Sequence, residues 1–68
     1  MTSGKTISEN IKKMRTKLGF TQDDLAKKAD IKYTTLMKVE SGTVNKPSVQ
    51  TMDKIARALG VSIEDLIK

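Results

Sequence analysis

The sequence predicts an all-α fold, a compact bundle of five short helices, on three observations. Apolar residues recur at spacings of three and four along the chain, and no window alternates with the period of two that marks a strand. Gly19, Gly42 and Gly60 each follow such a pattern, at the place where a helix is expected to end. Thr or Ser precedes most of the patterns, as helix N-caps do.

The predicted helices follow one another at 7–18, 22–28, 33–41, 49–59 and 63–67. We expect residues 1–5 to form a flexible polar tail and residues 6–68 to form a single domain, because 68 residues leave no room for a second one. The expected core consists of the apolar residues of these helices and turns: Ile7, Ile11, Met14, Leu18, Phe20, Leu25, Ala26, Ala29, Ile31, Leu36, Val39, Met52, Ile55, Ala56, Leu59, Val61, Ile63 and Leu66.

Local signals mark the starts of these helices. In three places a hydroxyl residue is followed three positions later by an acid, which is the pattern of the capping box: Thr6–Glu9, Thr21–Asp24 and Ser62–Asp65. In this box the hydroxyl accepts from a free N–H of the first turn, and the acid accepts from the N–H of the cap residue. Ser48 stands before the fourth helix as a further N-cap.

The composition argues against several classes of function. The chain has no cysteine and no histidine, so disulfides, thiol nucleophiles and thiolate or imidazole metal ligands are excluded. We expect no enzyme activity, no catalytic residue, no metal and no cofactor, because helix capping already explains the carboxylates at helix starts. No apolar run approaches the roughly 20 residues of a membrane span, and no secretory signal is visible. The lack of cysteine is compatible with a reducing cytoplasm, and we expect a cytoplasmic protein.

The charge indicates an anionic partner. Thirteen lysine and arginine residues against eight acids give a net charge of +5. On a small domain such an excess favours nucleic acid or a membrane surface as the partner. The alternative is a surface charge that only keeps the protein soluble. The charge does not decide between these interpretations. The arrangement of polar and apolar residues on the individual helices gives further evidence.

The second and third helices have the spacing of a helix-turn-helix. Leu25 and Ala26 lie on one side of the second helix, and Ala26 is small where two helices would cross closely. Asp30 falls at the break, where a left-handed residue is expected, and Asp tolerates that conformation. Leu36 and Val39 would then bring the third helix back onto the second.

The third helix has a polar face opposite its apolar residues. At about 100° per residue, one outer arc collects Tyr33, Thr34, Met37, Lys38 and Ser41. The arc contains no acid, and its hydroxyl, methyl and ammonium groups suit the base edges of the major groove of DNA. The alternative is the solvated face of an amphipathic helix. A plain solvated face would not need the larger side chains of Tyr33 and Met37.

Four short segments form a combination of motifs whose order and spacing are more specific than any one of them alone. They are "TQDDLA" at 21–26, "VESG" at 39–42, "KPS" at 46–48 and "IARALGVSIEDLI" at 55–67. With them the chain resembles the phage repressor/Cro-like (XRE-type) helix-turn-helix DNA-binding proteins, over about residues 7–67. The resemblance implies a lambda-repressor-like bundle in which helices 2 and 3 form the helix-turn-helix and helix 3 is the recognition helix.

The resemblance also implies roles for individual side chains. Contacts to bases would come from Lys32, Tyr33, Thr34, Met37 and Lys38. Contacts to the DNA backbone would come from Thr21, Gln22, Ser41, Thr43, Asn45 and Lys46. Arg15 and Glu40 match a pair that forms a partly buried, structural salt bridge in some relatives, with two unrelated surface charges as the alternative.

Three features depart from the family pattern. Lys32 occupies the place of the usual Ser or Thr N-cap of helix 3, and Asp30 replaces a common glycine. The outer arc has no arginine, glutamine or asparagine, which are the usual bidentate readers of guanine and adenine. The sequence therefore assigns no particular base, and it indicates hydroxyl, methyl and lysine contacts with shape readout from the loop.

We therefore expect a sequence-specific regulator of transcription that binds double-stranded DNA, as a repressor and as a homodimer. Two half-sites are needed for useful specificity. In the proteins that this chain resembles, helix 5 and the loop before it often supply the dimer contact, so Val61, Ile63 and Ile67 are candidates, although Ile63 and Leu66 fit the core equally well. The dimer can be weak without DNA. The resemblance also implies a protein encoded by a bacterium or a phage. The alternative is a protein-interaction module, such as the antitoxin of a toxin–antitoxin pair, with Tyr33 and Met37 as its apolar anchor.

Overall fold

Five α-helices follow one another in the computed structural model, which describes residues 4–42 and 47–67. They are α1 (Gly4–Lys17), α2 (Gln22–Ala29), α3 (Tyr33–Glu40), α4 (Val49–Leu59) and α5 (Ile63–Ile67). Neither described range contains a strand, so the predicted all-α class and the order of the five helices are confirmed. The ends of α1, α2 and α3 differ from the predicted ones by one residue, which is the usual margin for a helix end.

The helices enclose one apolar core. α1 packs against α3 and α5, α2 packs against α3 and α4, and α4 packs against α5. The buried apolar residues are Ile7, Ile11, Leu25, Ala26, Ala29, Leu36, Val39, Met52, Ile55, Ala56, Ala58, Leu59 and Leu66. Helices of this length are marginal in isolation, so their mutual packing stabilises them. In the described part of the chain, no helix has the length and apolar character to cross a membrane.

The caps of α2, α4 and α5 follow the predicted chemistry. Thr21 Oγ1 accepts from the Asp24 N–H at 3.0 Å, and the Asp24 carboxylate accepts from the Thr21 N–H at 3.0 Å. Ser62 and Asp65 form the same reciprocal pair at 3.3 and 3.2 Å. Ser48 Oγ accepts from the N–H three residues later at 3.1 Å. These two capping boxes and the Ser48 cap are confirmed.

The predicted start of α1 is wrong. The helix begins at Gly4, so Thr6 lies inside it and the proposed Thr6–Glu9 capping box is wrong as well. No proline interrupts this segment, and the following turn is anchored because Ser8 is buried. Extending a docked helix adds backbone hydrogen bonds at little cost. The last two residues of the predicted tail therefore belong to α1, and residues 1–3 lie outside the described ranges.

Leu18 is a second correction. It was predicted to lie in the core, but its side chain is 50% exposed. α1 ends at Lys17, and Leu18 enters a turn that Gly19 completes with a φ of 77°. After this reversal Phe20 packs against the core in its place. The remaining predicted core residues are buried or packed against the buried ones.

Candidate nucleic-acid interface

The turn between α2 and α3 is closed by a left-handed residue, as predicted. Asp30 has a φ of 57° and a ψ of 48°. Its N–H donates to the Lys27 carbonyl at 3.2 Å, and the Ile31 N–H donates to the Ala26 carbonyl at 3.0 Å. These two bonds define a Schellman motif, which ends α2 and reverses the chain. α3 then packs back against α2, so the two helices form a helix-turn-helix.

The outer side of α3 is exposed, in agreement with its helical spacing. Leu36 and Val39 are buried on the inner side, whereas Tyr33 and Met37 are each 43% exposed. We use the name outer face of α3 for the exposed residues Tyr33, Thr34, Met37, Lys38 and Ser41. Its polar groups and its two larger side chains are therefore accessible to a partner.

Two lysines give this region its positive charge. Lys38 lies on the outer face of α3, and Lys32 lies at the N-cap position with no side-chain hydrogen bond to the helix. The ion pairs found among the described residues leave both ammonium groups without a carboxylate partner. Both groups are therefore available to an anionic partner.

Arg15 and Glu40 form the predicted ion pair behind the outer face. Arg15 Nε lies 3.0 Å from Glu40 Oε2, and Arg15 Nη2 lies 3.2 Å from Glu40 Oε1. The side chain of Glu40 is 1% exposed and that of Arg15 is 16% exposed. Arg15 Nη1 also donates to the Phe20 carbonyl at 2.8 Å. The pair therefore fastens α1 to the C-terminal end of α3.

Sequence reasoning missed two polar residues of α1. Ser8 is buried, and its hydroxyl donates to the backbone carbonyl of Glu40. Asn10 Nδ2 donates to the Leu66 carbonyl at 2.8 Å and so links α1 to α5. The signal for Ser8 was present, because it stands seven residues before Arg15 and hence on the same side of the helix. Asn10 had no comparable signal, since its acceptor is a backbone atom far along the chain.

A chain of polar contacts leads from this ion pair to the outer face of α3. Gln22 Nε2 donates to Glu40 Oε1 at 3.5 Å. The Tyr33 hydroxyl donates to Gln22 Oε1 at 3.3 Å. The structure thus brings together Gln22, a predicted backbone contact, and Tyr33, a predicted base contact.

The first turn of α2 contains two acidic residues, and both form contacts with neighbouring residues of the chain. The backbone N–H of Thr21, followed by its hydroxyl, lowers the pKa of Asp24 below the ordinary value of 3.8. Asp23 is paired with Lys27, whose Nζ lies 3.0 Å from its carboxylate. Thr21 is exposed, and its hydroxyl accepts from the Asp24 N–H as the helix cap.

The remaining predicted site residues follow α3. Ser41 is exposed, and its hydroxyl donates to the Lys38 carbonyl at 3.1 Å. Thr43, Asn45 and Lys46 lie outside the described residues. Their suggested contacts with the DNA backbone therefore stay predictions.

The fold and the exposed second helix of the motif define a helix-turn-helix protein. A family model described as "Helix-turn-helix" matches residues 11–66, which is most of the chain. The chain therefore belongs to this helix-turn-helix family, in agreement with its resemblance to the phage repressor/Cro-like proteins.

Similar proteins support this assignment. The chain is 43% identical over 56 residues to an uncharacterised HTH-type transcriptional regulator of Archaeoglobus fulgidus, covering 82% of this chain and 79% of that protein. It is 31% identical over 61 residues to the HTH-type transcriptional regulator SinR of Bacillus subtilis, covering 90% of this chain and 55% of SinR. This chain therefore spans about half of SinR.

Two solved structures of SinR have the same fold. The crystal structure of SinR in complex with DNA matches with a TM-score of 0.87 and 31% identity, over 91% of this chain and 98% of that one. A SinR–SinI protein complex matches with a TM-score of 0.88 and 31% identity, over 91% of this chain and 60% of that one.

Proposed function

We propose that this protein is a transcriptional regulator that binds double-stranded DNA sequence-specifically and reads the major groove with the outer face of α3. The observation that carries the proposal is this exposed, acid-free face on the second helix of a helix-turn-helix. An α-helix fits the major groove of B-DNA. Membership of the helix-turn-helix family and the likeness to SinR, which has been solved with DNA, support the proposal.

The base contacts divide by chemistry. Lys32 and Lys38 donate to guanine oxygen and nitrogen atoms or to phosphates, and Met37 contacts the methyl group of thymine. Thr34 offers both a hydroxyl and a methyl group. Tyr33 offers a ring and a hydroxyl.

The contacts with the DNA backbone come from both sides of α3. The free N–H groups at the start of α2, beside Thr21 and Gln22, attract a phosphate, and the helix dipole acts in the same direction. Ser41, which follows α3, binds the backbone on the other side. The loop residues implied by the family resemblance add further backbone contacts: Thr43, Asn45 and Lys46. Contacts of this kind set the register of the protein on DNA, and base contacts then select the sequence.

We further propose that the protein binds as a homodimer and acts as a repressor by occupying its operator. A dimer places two copies of α3 on half-sites about 34 Å apart. Val61, one of the predicted dimer residues, lines an open and mostly apolar groove together with Met14, Lys17, Leu18 and Leu59. Ile67 is 36% exposed, whereas Ile63 is packed against the core. We therefore assign the dimer contact to Val61 and Ile67, with Leu18 added.

Titration of labelled duplex DNA by fluorescence anisotropy at several salt concentrations tests the proposal. We expect log Kd to change steeply with log salt, by about 0.9 for each neutralised phosphate. Lys46→Ala should weaken binding to all sequences equally and lower this slope by about one unit. Lys38→Ala should reduce discrimination at defined bases, at a cost of about 1–3 kcal/mol.

Lys12→Ala is the matched control, since it removes the same charge from an exposed position on the outer side of α1. If Lys12→Ala and Lys38→Ala weaken binding equally on every sequence, α3 does not read bases. A salt-insensitive and equally tight complex with a protein would instead favour the alternative function.

That alternative is a protein-interaction module such as an antitoxin. The specific observation in its favour is the exposure of Tyr33 and Met37, since aromatic and methionine side chains often anchor protein interfaces. The SinR–SinI complex is an example of a similar protein bound to another protein. If Met37 is such an anchor, Met37→Ala should abolish capture of the protein partner and leave the affinity for DNA unchanged.

A further inference from the structure

We propose that Tyr33 recognises a base that presents an exocyclic amino group in the major groove, adenine or cytosine, because its hydroxyl proton is already committed to Gln22. The inference rests on the proposed function and specifies what one side chain of α3 would select. It follows from the direction of the hydrogen bonds in the polar chain from Arg15 to Tyr33.

The direction is set at the buried end of that chain. Glu40 is the ion-pair partner of Arg15, at 3.0 Å, and its side chain is 1% exposed. An ionised carboxylate can only accept hydrogen bonds. The Gln22 amide therefore turns Nε2 toward Glu40 Oε1, at 3.5 Å, because its oxygen in that place would set two acceptors against each other.

The orientation of the amide then determines the role of the tyrosine. With Nε2 toward Glu40, Gln22 Oε1 faces Tyr33, and the two oxygen atoms are 3.3 Å apart. A side-chain amide oxygen can only accept, so the phenol must supply the proton. A phenol has one proton to donate, and the lone pairs that remain on Tyr33 can only accept a further hydrogen bond.

An acceptor at this position distinguishes the bases. In the major groove adenine presents the N6 amino group and cytosine presents the N4 amino group, both of which donate. Guanine presents N7 and O6 and thymine presents O4, all of which accept. Tyr33 is 43% exposed at the start of α3, so its oxygen can reach a base edge. Guanine and thymine would set their acceptors against its lone pairs.

The test is a double-mutant cycle on the operator that selection from random duplex DNA yields. Tyr33→Phe identifies the operator position at which the protein no longer prefers adenine. In each half-site, the adenine at that position is replaced by purine, which lacks the N6 amino group. If the base is cytosine, 2-pyrimidinone replaces it. We expect loss of the amino group to weaken wild-type binding about fivefold for each half-site changed, the usual size for one hydrogen bond. For Tyr33→Phe we expect less than a twofold change.

A second variant tests the role of the amide. Gln22→Ala removes the acceptor for the Tyr33 proton, so the hydroxyl can rotate and donate. We expect weaker binding to all sequences, because a backbone contact is lost, together with a smaller preference for the amino-bearing base over guanine and thymine. An unchanged preference would show that Gln22 does not set the polarity of Tyr33.

The outcomes separate this inference from the proposed function. A guanine or thymine at the position coupled to Tyr33→Phe, or equal weakening of both proteins by amino removal, overturns the assignment and leaves DNA binding intact. If the wild-type protein prefers no sequence, the proposed function and this inference both fail.

Discussion

Glu40 is the residue through which three parts of the molecule are joined. Its carboxylate accepts from Arg15 of α1 and from Gln22 of α2, and its backbone carbonyl accepts from the Ser8 hydroxyl of α1. A buried carboxylate is costly unless it is paired and hydrogen-bonded, and each of these contacts offsets part of that cost. One charged residue therefore fixes, together with the apolar packing of Leu36 and Val39, the position of α3 relative to α1 and α2.

Removing the partner of this carboxylate should be strongly destabilising. Arg15→Met keeps the aliphatic volume but leaves Glu40 buried without its counter-charge, so we expect a loss of about 3–5 kcal/mol in the free energy of unfolding. Urea denaturation at neutral pH, followed by circular dichroism, measures the difference.

Arg57→Met is the matched control, because it breaks an ion pair with Asp53 whose side chains are 82% and 44% exposed. Exposed pairs of this kind contribute about 0–1 kcal/mol. Arg15→Met combined with Glu40→Met should recover much of the loss, because no unpaired charge remains. Equal effects of Arg15→Met and Arg57→Met would contradict the role assigned to burial.

The helix-turn-helix is defined at the scale of elements by its cap and its turn. Thr21 and Asp24 start α2, and Asp30 ends it in the left-handed conformation. Both signals are local, so this element is specified within one stretch of the chain. Its orientation on the rest of the protein depends on packing with α1 and α4.

Asp30→Gly should stabilise the protein. Asp30 has a φ of 57°, where an L-residue other than glycine is strained. The left-handed conformation costs an L-residue roughly 1–2 kcal/mol, of which Asp bears a part. Glycine avoids this strain but loses roughly 0.5–1 kcal/mol more in backbone entropy on folding, so we expect a net gain below about 1 kcal/mol. The midpoint of urea denaturation measures it. Lys54→Gly, inside α4, is the control and should lower the free energy of unfolding by about 1 kcal/mol. If Asp30→Gly also lowers it, Asp30 is not strained in the left-handed conformation.

The capping box of α2 should make a pH-dependent contribution to stability. The hydrogen bonds from Thr21 lower the pKa of Asp24, so the folded value lies below the unfolded one. The contribution is therefore fully present above the ordinary pKa of 3.8 and is lost as the pH falls through the folded value. Carboxyl-detected NMR titration should give a pKa below 3.8 for Asp24, and Thr21→Val should raise it. Thr21→Val removes the hydroxyl but keeps the backbone N–H, which is the larger cause, so an unchanged pKa in this variant would refute the part assigned to the hydroxyl.

The elements that sequence predicted correctly are those with local signals. Helical spacing alone predicts the inner and outer sides of α3. The position of Asp30 in the turn between α2 and α3 predicts its left-handed conformation. The start of α1 was predicted wrongly because Thr6 has the sequence pattern of an N-cap. The buried Ser8 anchors the next turn, and the helix extends from there toward the N-terminus, beyond Thr6 to Gly4. The Gln22–Tyr33 contact could not be predicted, since it depends on how α2 and α3 are placed relative to each other.

The whole molecule presents two surfaces of different character. The outer face of α3 carries hydroxyl groups and a lysine beside Tyr33 and Met37. The groove lined by Met14, Leu18, Leu59 and Val61, together with Lys17, is mostly apolar. In our proposal the first surface binds DNA and the second joins two copies. A dimer of this kind doubles the number of base contacts and links two half-sites.

Leu18→Asp should separate these two functions. Leu18 is half exposed, so the variant should fold, but its carboxylate would lie in the apolar dimer contact. We expect unchanged affinity for a duplex with one half-site and at least about tenfold weaker binding to a duplex with two, since linkage of sites raises avidity by 10²–10⁴-fold or so. Thr16→Asp, an equal charge change at an exposed position of α1, is the control. Cooperative binding by Leu18→Asp would contradict this dimer contact.

Selection of binders from random duplex DNA at about 0.15 M salt, followed by anisotropy titration of the enriched sequence, tests the central claim most directly. We expect an inverted repeat whose half-sites lie about one helical turn apart, bound at least about a thousandfold more tightly than random DNA. If no sequence is enriched above non-specific binding, the protein is not an operator-binding regulator, and the exposed Tyr33 and Met37 should then be tested as a surface that binds another protein.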